Sequence, residues 1–334
     1  MRRLIAYRSS PVNVHKMSNL PLVIVNPASA GGATRDAWPG LASDLRAHFG
    51  PFNCAFTEQP GDGRRLAAIE AAKGRRLIVA CGGDGTVSEV ANGIMESGCD
   101  TELGLLPSGT GGDFRRTLGL SMRASTAARA LRLGHTRRID VGRVSYVNHE
   151  GEAESRYFLG VASFGMSGEV IERVRASGPR LMPVTGSRWL SGKISYGVAT
   201  LQTTLTSPST AVHVQLDDQR ERRLTVANLC VANARYFGGG MKIAPGALLN
   251  DGRFDIITIG DLGALKILAN APRLYMGKHL NMQQVHHQLA ARLTARPAKT
   301  DLHVLLEVDG ELPGRLPATF EILPRALRVR CPPA

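Results

Sequence analysis

The chain has 334 residues, 43% hydrophobic and 21% charged, a composition that excludes a largely disordered chain and, at about 150 residues per domain, predicts two domains. Lysine plus arginine number 41 against 28 aspartates and glutamates, a formal charge of +13, which favours nucleic acid, anionic lipid headgroups or phosphorylated substrates without choosing among them. No run of about 18 apolar residues occurs, so a transmembrane helix is not expected; five scattered cysteines without a CxxC pair argue against a disulfide framework or zinc knuckle and for a reducing compartment.

Residues 1–19 hold basic residues and only the short apolar run LIAY, without the h-region of a secretory signal. They read as a poorly ordered lead-in, with Met17 as an alternative start. LPLVIVNP (20–27) then reads as a buried strand, residues 33–49 have helical spacing, and NCAFTEQP (53–60) is a short strand. GDGRRLAAIEAAKG (61–74) is an alanine-rich helix, and RRLIVACGGDGT (75–86) a strand running into a glycine turn before the helix VSEVANGIM. ELGLLPSGTGGDF (102–114) repeats strand and glycine turn. Strands alternating with helices predict an α/β, doubly wound parallel sheet over residues 20–140, with ligands at the carboxyl ends of the strands, where all three polar turns fall.

After HTRRIDVGRV (135–144) the pattern changes. RYFLGVASFG, AVHVQLDD, RRLTVANLCVANA, RFDIITI and TDLHVLLEVDGELP are strand-like runs separated by turns, interrupted by helical stretches near Gly168–Ser177 and at ALKILANAPRLYMGKHL. Residues 141–330 are therefore expected to form a mostly antiparallel β domain. Pro183–Ser195 reads as a mobile loop.

The segment with most chemical content is Gly82-Gly83-Asp84-Gly85-Thr86, between a strand and a helix. Glycines there allow backbone N–H groups to approach a phosphate closely, and the helix N-terminus adds a positive dipole. Asp84 alone would repel phosphate, so its functional sense is with a divalent cation between the two; the alternative is a plain turn with an N-capping aspartate. The third glycine of a dinucleotide fingerprint is missing (Ser88 stands there), and neither GxxxxGK[ST] nor GxSxG occurs. Asn26-Pro27-Ala28-Ser29-Ala30-Gly31-Gly32 and Pro107–Phe114, which brings a second carboxylate in Asp113, are two further polar turns on strand ends of the same sheet.

These motifs resemble the diacylglycerol kinase catalytic-domain superfamily in its soluble bacterial lipid kinase branch, related to sphingosine and ceramide kinases. NPASAGG is similar to its first nucleotide loop, GGDGTVSEVANG to its signature loop and LPSGTGGDFRRTLGL to its third. ANARYFGGGMKIAPGALLNDGRFDIITI and LEVDGELPGRLPATFEILP are similar to its β-domain motifs, so the likeness runs from about Leu20 to Cys331. GGDGT also occurs in NAD kinases; the later motifs do not fit that family.

The resemblance implies a phosphofructokinase-like α/β domain, a C-terminal β-sandwich, and ATP with Mg2+ in the cleft between them. It places Asn26, Pro27, Ala28, Ser29, Ala30, Thr57, Gly82, Gly83, Asp84, Gly85, Thr86, Val87, Ser88, Glu89 and Thr110 against the nucleotide. Asp84 and Asp113 would organise magnesium and the reacting phosphate, and Glu311 or Asp309 would be the base that takes the proton of a lipid hydroxyl. A second cation would be held by the Asp251 carboxylate and the carbonyls of Leu248 and Arg253. Gly165, Met166 and Gly168 would lie near the acceptor pocket. Two departures stand out: Gly112 replaces the asparagine of the usual GTxND, and Ala30 stands where the first loop usually has glycine.

The expected activity is phosphoryl transfer from ATP to a lipid hydroxyl, diacylglycerol first, with sphingoid bases, ceramide or other lipids as alternatives, and a NAD kinase or a non-catalytic nucleotide-binding regulator behind them. The expected location is cytoplasmic and peripheral to an anionic membrane, which arginine pairs such as Arg137-Arg138 and Arg222-Arg223 would favour. A homodimer is left open. Nucleic acid is not an expected partner, because aromatic residues are only 5% and no nucleic-acid-binding signature appears.

Overall fold

The computed structural model describes residues 20–108, 112–166, 209–262 and 264–332. The expected lead-in (1–19), Thr110, the helix at Gly168–Ser177 and the loop at Pro183–Ser195 lie outside the described residues.

Strand β1 (Leu22–Val25) is an unbroken LVIV run with every residue buried, the pattern of a strand covered on both faces. It pairs in parallel with β2 (Asn53–Phe56) and β3 (Leu77–Gly82), and β3 pairs in parallel with β4 (Glu102–Pro107). The connecting helices are α1 (Ala33–His48), α2 (Asp62–Ala72) and α3 (Asp84–Ser97), followed by the short α4 (Asp113–Leu118) and α5 (Ala124–Leu133). Strand alternation divides the side chains between two cores. Leu22 and Ile24 pack with Ala67, Ala71, Val90 and Ile94 of α2 and α3. Val23 and Val25 pack with Leu45 of α1 and Ala127, Ala128 and Leu131 of α5. Helices thus cover both faces of the sheet, as doubly wound α/β domains require. At Gly93 a Cβ would lie 2.1 Å from the Arg64 carbonyl oxygen, so only glycine lets α2 and α3 approach this closely.

The second domain is a β-sandwich of largely antiparallel strands. β5 (His135–Asn148) pairs with β6 (Ala153–Phe158), and β7 (Val161–Gly165) with β10 (Asn228–Ala232). β8 (Thr210–Leu216) pairs with β9 (Arg222–Val226), and β11 (Phe254–Ile259) lies between β10 and β12 (Val285–Ala290). Helix α6 (Ala264–Tyr275) precedes β12, and β13 (Arg292–Pro297) and β14 (Leu305–Val308) lead to the last strand, β15 (Glu311–Cys331). The interior is built around stacked aromatics: Phe158 on Phe254 with centroids 5.5 Å apart, and Phe164 on Phe320 at 6.2 Å.

β15 joins the two domains. Over 21 residues it begins beside β14 in the sandwich and ends parallel to β4, with Arg328 and Val329 opposite Glu102 and Leu103. The buried Glu102 carboxylate fixes that end through Arg328 at 2.6 Å and Arg330 at 2.5 Å. β5 accompanies β15 antiparallel for most of its length, so the Asp140–Val141 position falls inside a strand, and Arg328 and Val329 add β15 to the first sheet. RRLTVANLCVANA, read from sequence as one run, is two strands, β9 and β10, which have different partners.

Candidate active site

The three polar turns meet at the carboxyl ends of β1, β3 and β4. Helix α3 begins at Asp84, with Gly83 as its N-cap in extended conformation, so Asp84-Gly85-Thr86 is the first helical turn rather than part of the preceding loop. The Asp84 carboxylate accepts backbone N–H groups of the next glycine turn: Gly112 at 2.7 Å, Asp113 at 3.0 Å and Phe114 at 3.2 Å. It caps α4, a helix whose own N-cap, Gly112, has no side chain to do so. Asp113 accepts the Gly239 N–H at 2.7 Å and pairs with Arg116; burial, followed by the neighbouring Asp84 charge, pushes its carboxyl above the usual range.

The first loop is tied to the other two through side chains. Asn26 donates to the Thr86 hydroxyl at 3.1 Å and accepts the Ala28 N–H at 3.0 Å, which closes the turn holding Pro27. Ser29 contacts the hydroxyl of buried Thr34 at 2.5 Å, and Thr34 contacts that of Ser108 at 2.7 Å. Thr34 and Ser108 were not among the expected site residues, since a threonine in a helix and a serine after a strand carry no spacing signal. Ala30 takes φ 56° and Gly31 φ 66°, so the first loop uses left-handed backbone at a position that normally favours glycine. Thr57 is nearly buried at the end of β2, its N–H on the Val25 carbonyl.

Other expected nucleotide contacts have local duties. Val87 packs in the core. Glu89 turns its carboxylate to the start of α2, accepting the N–H groups of Gly61 and Gly63 at 2.9 Å each. Ser88 Oγ is buried with no partner among the described residues. Gly82 leaves room for Thr86, whose Oγ1 would lie 2.3 Å from a Cβ there.

From the sandwich side, the hairpin between β14 and β15 presents three carboxylates at alternate positions. Glu311 pairs with Arg156 at 3.0 Å, and its Oε1 lies 3.9 Å from where a Cβ on Gly85 would stand. Asp309, at φ 49°, accepts the backbone N–H groups of Leu159 at 3.0 Å and Gly160 at 2.9 Å, and burial pushes its carboxyl up to about 6. Glu307, absent from the expected set, accepts the Ser163 hydroxyl and the Gly310 N–H, the latter at 2.7 Å; burial pushes it up to about 7. Its signal was an acidic residue inside the apolar run VLLEV. Asn92 locks the two halves in place: its amide donates to the Tyr157 carbonyl at 2.9 Å and accepts the Tyr157 N–H at 2.8 Å, joining α3 to β6.

At the expected second cation turn, Asp251 accepts the Arg253 N–H at 3.1 Å, while Leu248 is exposed. Buried Asp140 secures the turn, donating its N–H to the Leu249 carbonyl at 2.6 Å and accepting the Gly252 N–H at 2.7 Å. Gly165 ends β7, and Met166 donates its N–H to the Ala227 carbonyl at 2.9 Å; Gly168 lies outside the described residues.

Residues 21–144 match the diacylglycerol kinase catalytic domain, and residues 180–331 match the YegS C-terminal NAD kinase beta sandwich-like domain. The chain thus carries a diacylglycerol kinase catalytic domain followed by a YegS-type C-terminal domain. A diacylglycerol kinase of Staphylococcus saprophyticus is 28% identical over 318 residues, covering 93% of this chain and 94% of that protein. A diacylglycerol kinase of Mycobacterium tuberculosis is 28% identical over 313 residues, covering 92% and 94%. The fold is shared with a crystal structure of a diacylglycerol kinase from Bacillus anthracis, at TM-score 0.67 and 23% identity over 94% of this chain and 97% of that one.

Kinases of this superfamily take ATP as phosphoryl donor. The diacylglycerol kinase loops here also explain the Gly112 departure: residue 112 has φ 86°, a left-handed conformation that glycine and asparagine adopt more readily than other residues. Magnesium is tested by the donor set. Among the described residues no three acidic, histidine or cysteine side chains converge. Asp84 and Asp113 instead sit close enough for one charge to raise the other's carboxyl, fitting a cation that keeps waters and shares its coordination with nucleotide phosphates.

Proposed function

We propose that this protein is an ATP-dependent lipid kinase that moves the γ-phosphoryl group of ATP to the free hydroxyl of diacylglycerol, giving phosphatidic acid. The observation that carries this reading is the approach of Glu311 to Gly85, which brings a partly exposed carboxylate of the sandwich to the first turn of α3. Phosphoryl transfer needs positioning and charge neutralisation more than covalent chemistry. The backbone N–H groups at 83–86 orient the phosphates, supported by the N-terminal dipole of α3, with the loop at 26–30 beside them. Asp84 and Asp113 would hold magnesium with the nucleotide, where it offsets the phosphate charge. A second cation would sit at Leu248, Asp251 and Arg253.

Glu311 is the base: the acceptor O–H proton passes to its carboxylate, the acceptor oxygen bonds to the γ-phosphorus, and the bond from that phosphorus to the β–γ bridging oxygen breaks to release ADP. Arg156 orients Glu311 from β6. Asp309, whose carboxylate is committed to two backbone N–H groups, holds the hairpin in place. Both named relatives are diacylglycerol kinases. Among the described residues no helix is long and apolar enough to cross a membrane, and the excess positive charge suits peripheral contact with an anionic bilayer.

The test offers labelled Mg–ATP with diacylglycerol, monoacylglycerol, ceramide, a sphingoid base, phosphatidylglycerol and NAD as separate acceptors. Label in diacylglycerol supports the reading. Label confined to a sphingolipid changes the acceptor, and label in NAD alone, or in none, overturns it.

A further inference from the structure

Away from the glycine loops, a cleft of about 490 Å³ opens where α4, β5 and the turn at 247–250 meet. Arg137, Arg138, Arg235 and Arg325 line it together with Thr117 and Asn250, and no aspartate or glutamate among the described residues does. Arg137 stands two positions before Ile139, whose side chain shares a core with Leu118 and Leu249, so strand alternation places Arg137 on the cleft side of β5. Among the described residues only Arg138 of the four pairs with a carboxylate, Asp100 at 2.9 Å. Asp255 is close enough to feel Arg235, yet it is paired with His287 at 2.7 Å.

The walls are built rather than loose. Asp140, fully buried in β5, accepts the backbone N–H groups of Gly252 and Arg325, each at 2.7 Å, and donates its own N–H to Leu249 at 2.6 Å. One carboxylate therefore fixes both the turn at 247–252 and Arg325, which is held at φ 51°. Arg235 is anchored by its Nε on the Ala247 carbonyl at 3.0 Å. Gathering like charges in a fixed concavity costs energy, and guanidinium groups match phosphate oxygens in charge and fork geometry.

We propose that this cleft is a binding site for a phosphate-bearing anion, held by Arg137, Arg235 and Arg325. The anion is either a soluble phosphate or the headgroup phosphate of an anionic lipid, and the experiment separates the two. Full-length protein, the Arg137→Gln/Arg325→Gln variant and an Arg129→Gln/Arg132→Gln control at exposed positions of α5 are titrated with inorganic phosphate by calorimetry at low salt. The same three are sedimented with phosphatidylglycerol/phosphatidylcholine vesicles, and thermal unfolding confirms that each is folded. The glycine loops are intact in all three, so a difference reports the cleft. A loss of about ten-fold or more in the cleft variant alone is expected: with phosphate if the ligand is soluble, with vesicles only if it is a headgroup. Equal weakening of both variants would reduce the effect to net charge, and unchanged binding in the cleft variant, or no binding by the wild type, would overturn the site.

Discussion

The Asp84 carboxylate accepts the backbone N–H of Asp113 at 3.0 Å, so the acidic residue of one glycine turn holds the start of the next. Asp84 also takes the N–H groups of Gly112 and Phe114, and α4 depends on it for capping. Asp84→Ala should lower stability by about 1 kcal/mol, the usual cost of a lost cap, and abolish phosphoryl transfer. Asp84→Asn keeps one acceptor oxygen but removes the charge, so it should unfold close to the wild-type temperature while transfer still falls at least about 100-fold. Thermal unfolding beside labelled-phosphate transfer checks both; an active Asp84→Asn enzyme would remove Asp84 from the chemistry.

Gly112 makes a separable prediction. At φ 86°, with a Cβ position 2.9 Å from Arg115 Nε, a β-branched residue is strained. Gly112→Val should destabilise by about 1–2 kcal/mol and impair nucleotide binding. Gly112→Asn, the residue of the family's usual pattern, should keep activity within a few fold. Denaturant unfolding and ATP titration of the two variants test this, and equal damage from both would contradict the backbone explanation.

Buried Glu307 contributes a pH signature. Burial holds its folded carboxyl near about 7, above the ordinary 4.5, so the folded state retains a proton that the unfolded chain releases. Its stabilising contribution is complete below about pH 4.5 and lost as pH rises toward 7. Glu307→Gln removes that loss, so the variant's unfolding temperature should gain on the wild type between pH 5 and pH 8. A difference that stays constant over this range would show that Glu307 does not titrate there.

Much of this architecture was legible from the residues. Buried runs such as LVIV and LIVACG could only be strands covered on both faces, and the three glycine turns had to fall at their carboxyl ends. The edge strand β12, VHHQLA, was not legible because only its first and last residues are buried, which erases the two-residue alternation. Nor could local pattern show that β15 spans both domains, since that depends on Glu102 finding Arg328 and Arg330 more than two hundred residues away. In the site, the acidic and glycine positions were readable from motif. Thr34 and Arg156 were not, because each acts through a partner remote in sequence.

The central claim, that Glu311 receives the acceptor proton, is tested most directly by the turnover of Glu311→Gln with diacylglycerol micelles at saturating Mg–ATP, with Asp309→Asn alongside. General-base removal should lower kcat by about 10² to 10⁴ with ATP affinity unchanged, whereas Asp309→Asn, which disturbs two backbone hydrogen bonds, should lose thermal stability as well as activity. A Glu311→Gln enzyme that turns over diacylglycerol near the wild-type rate would contradict the account.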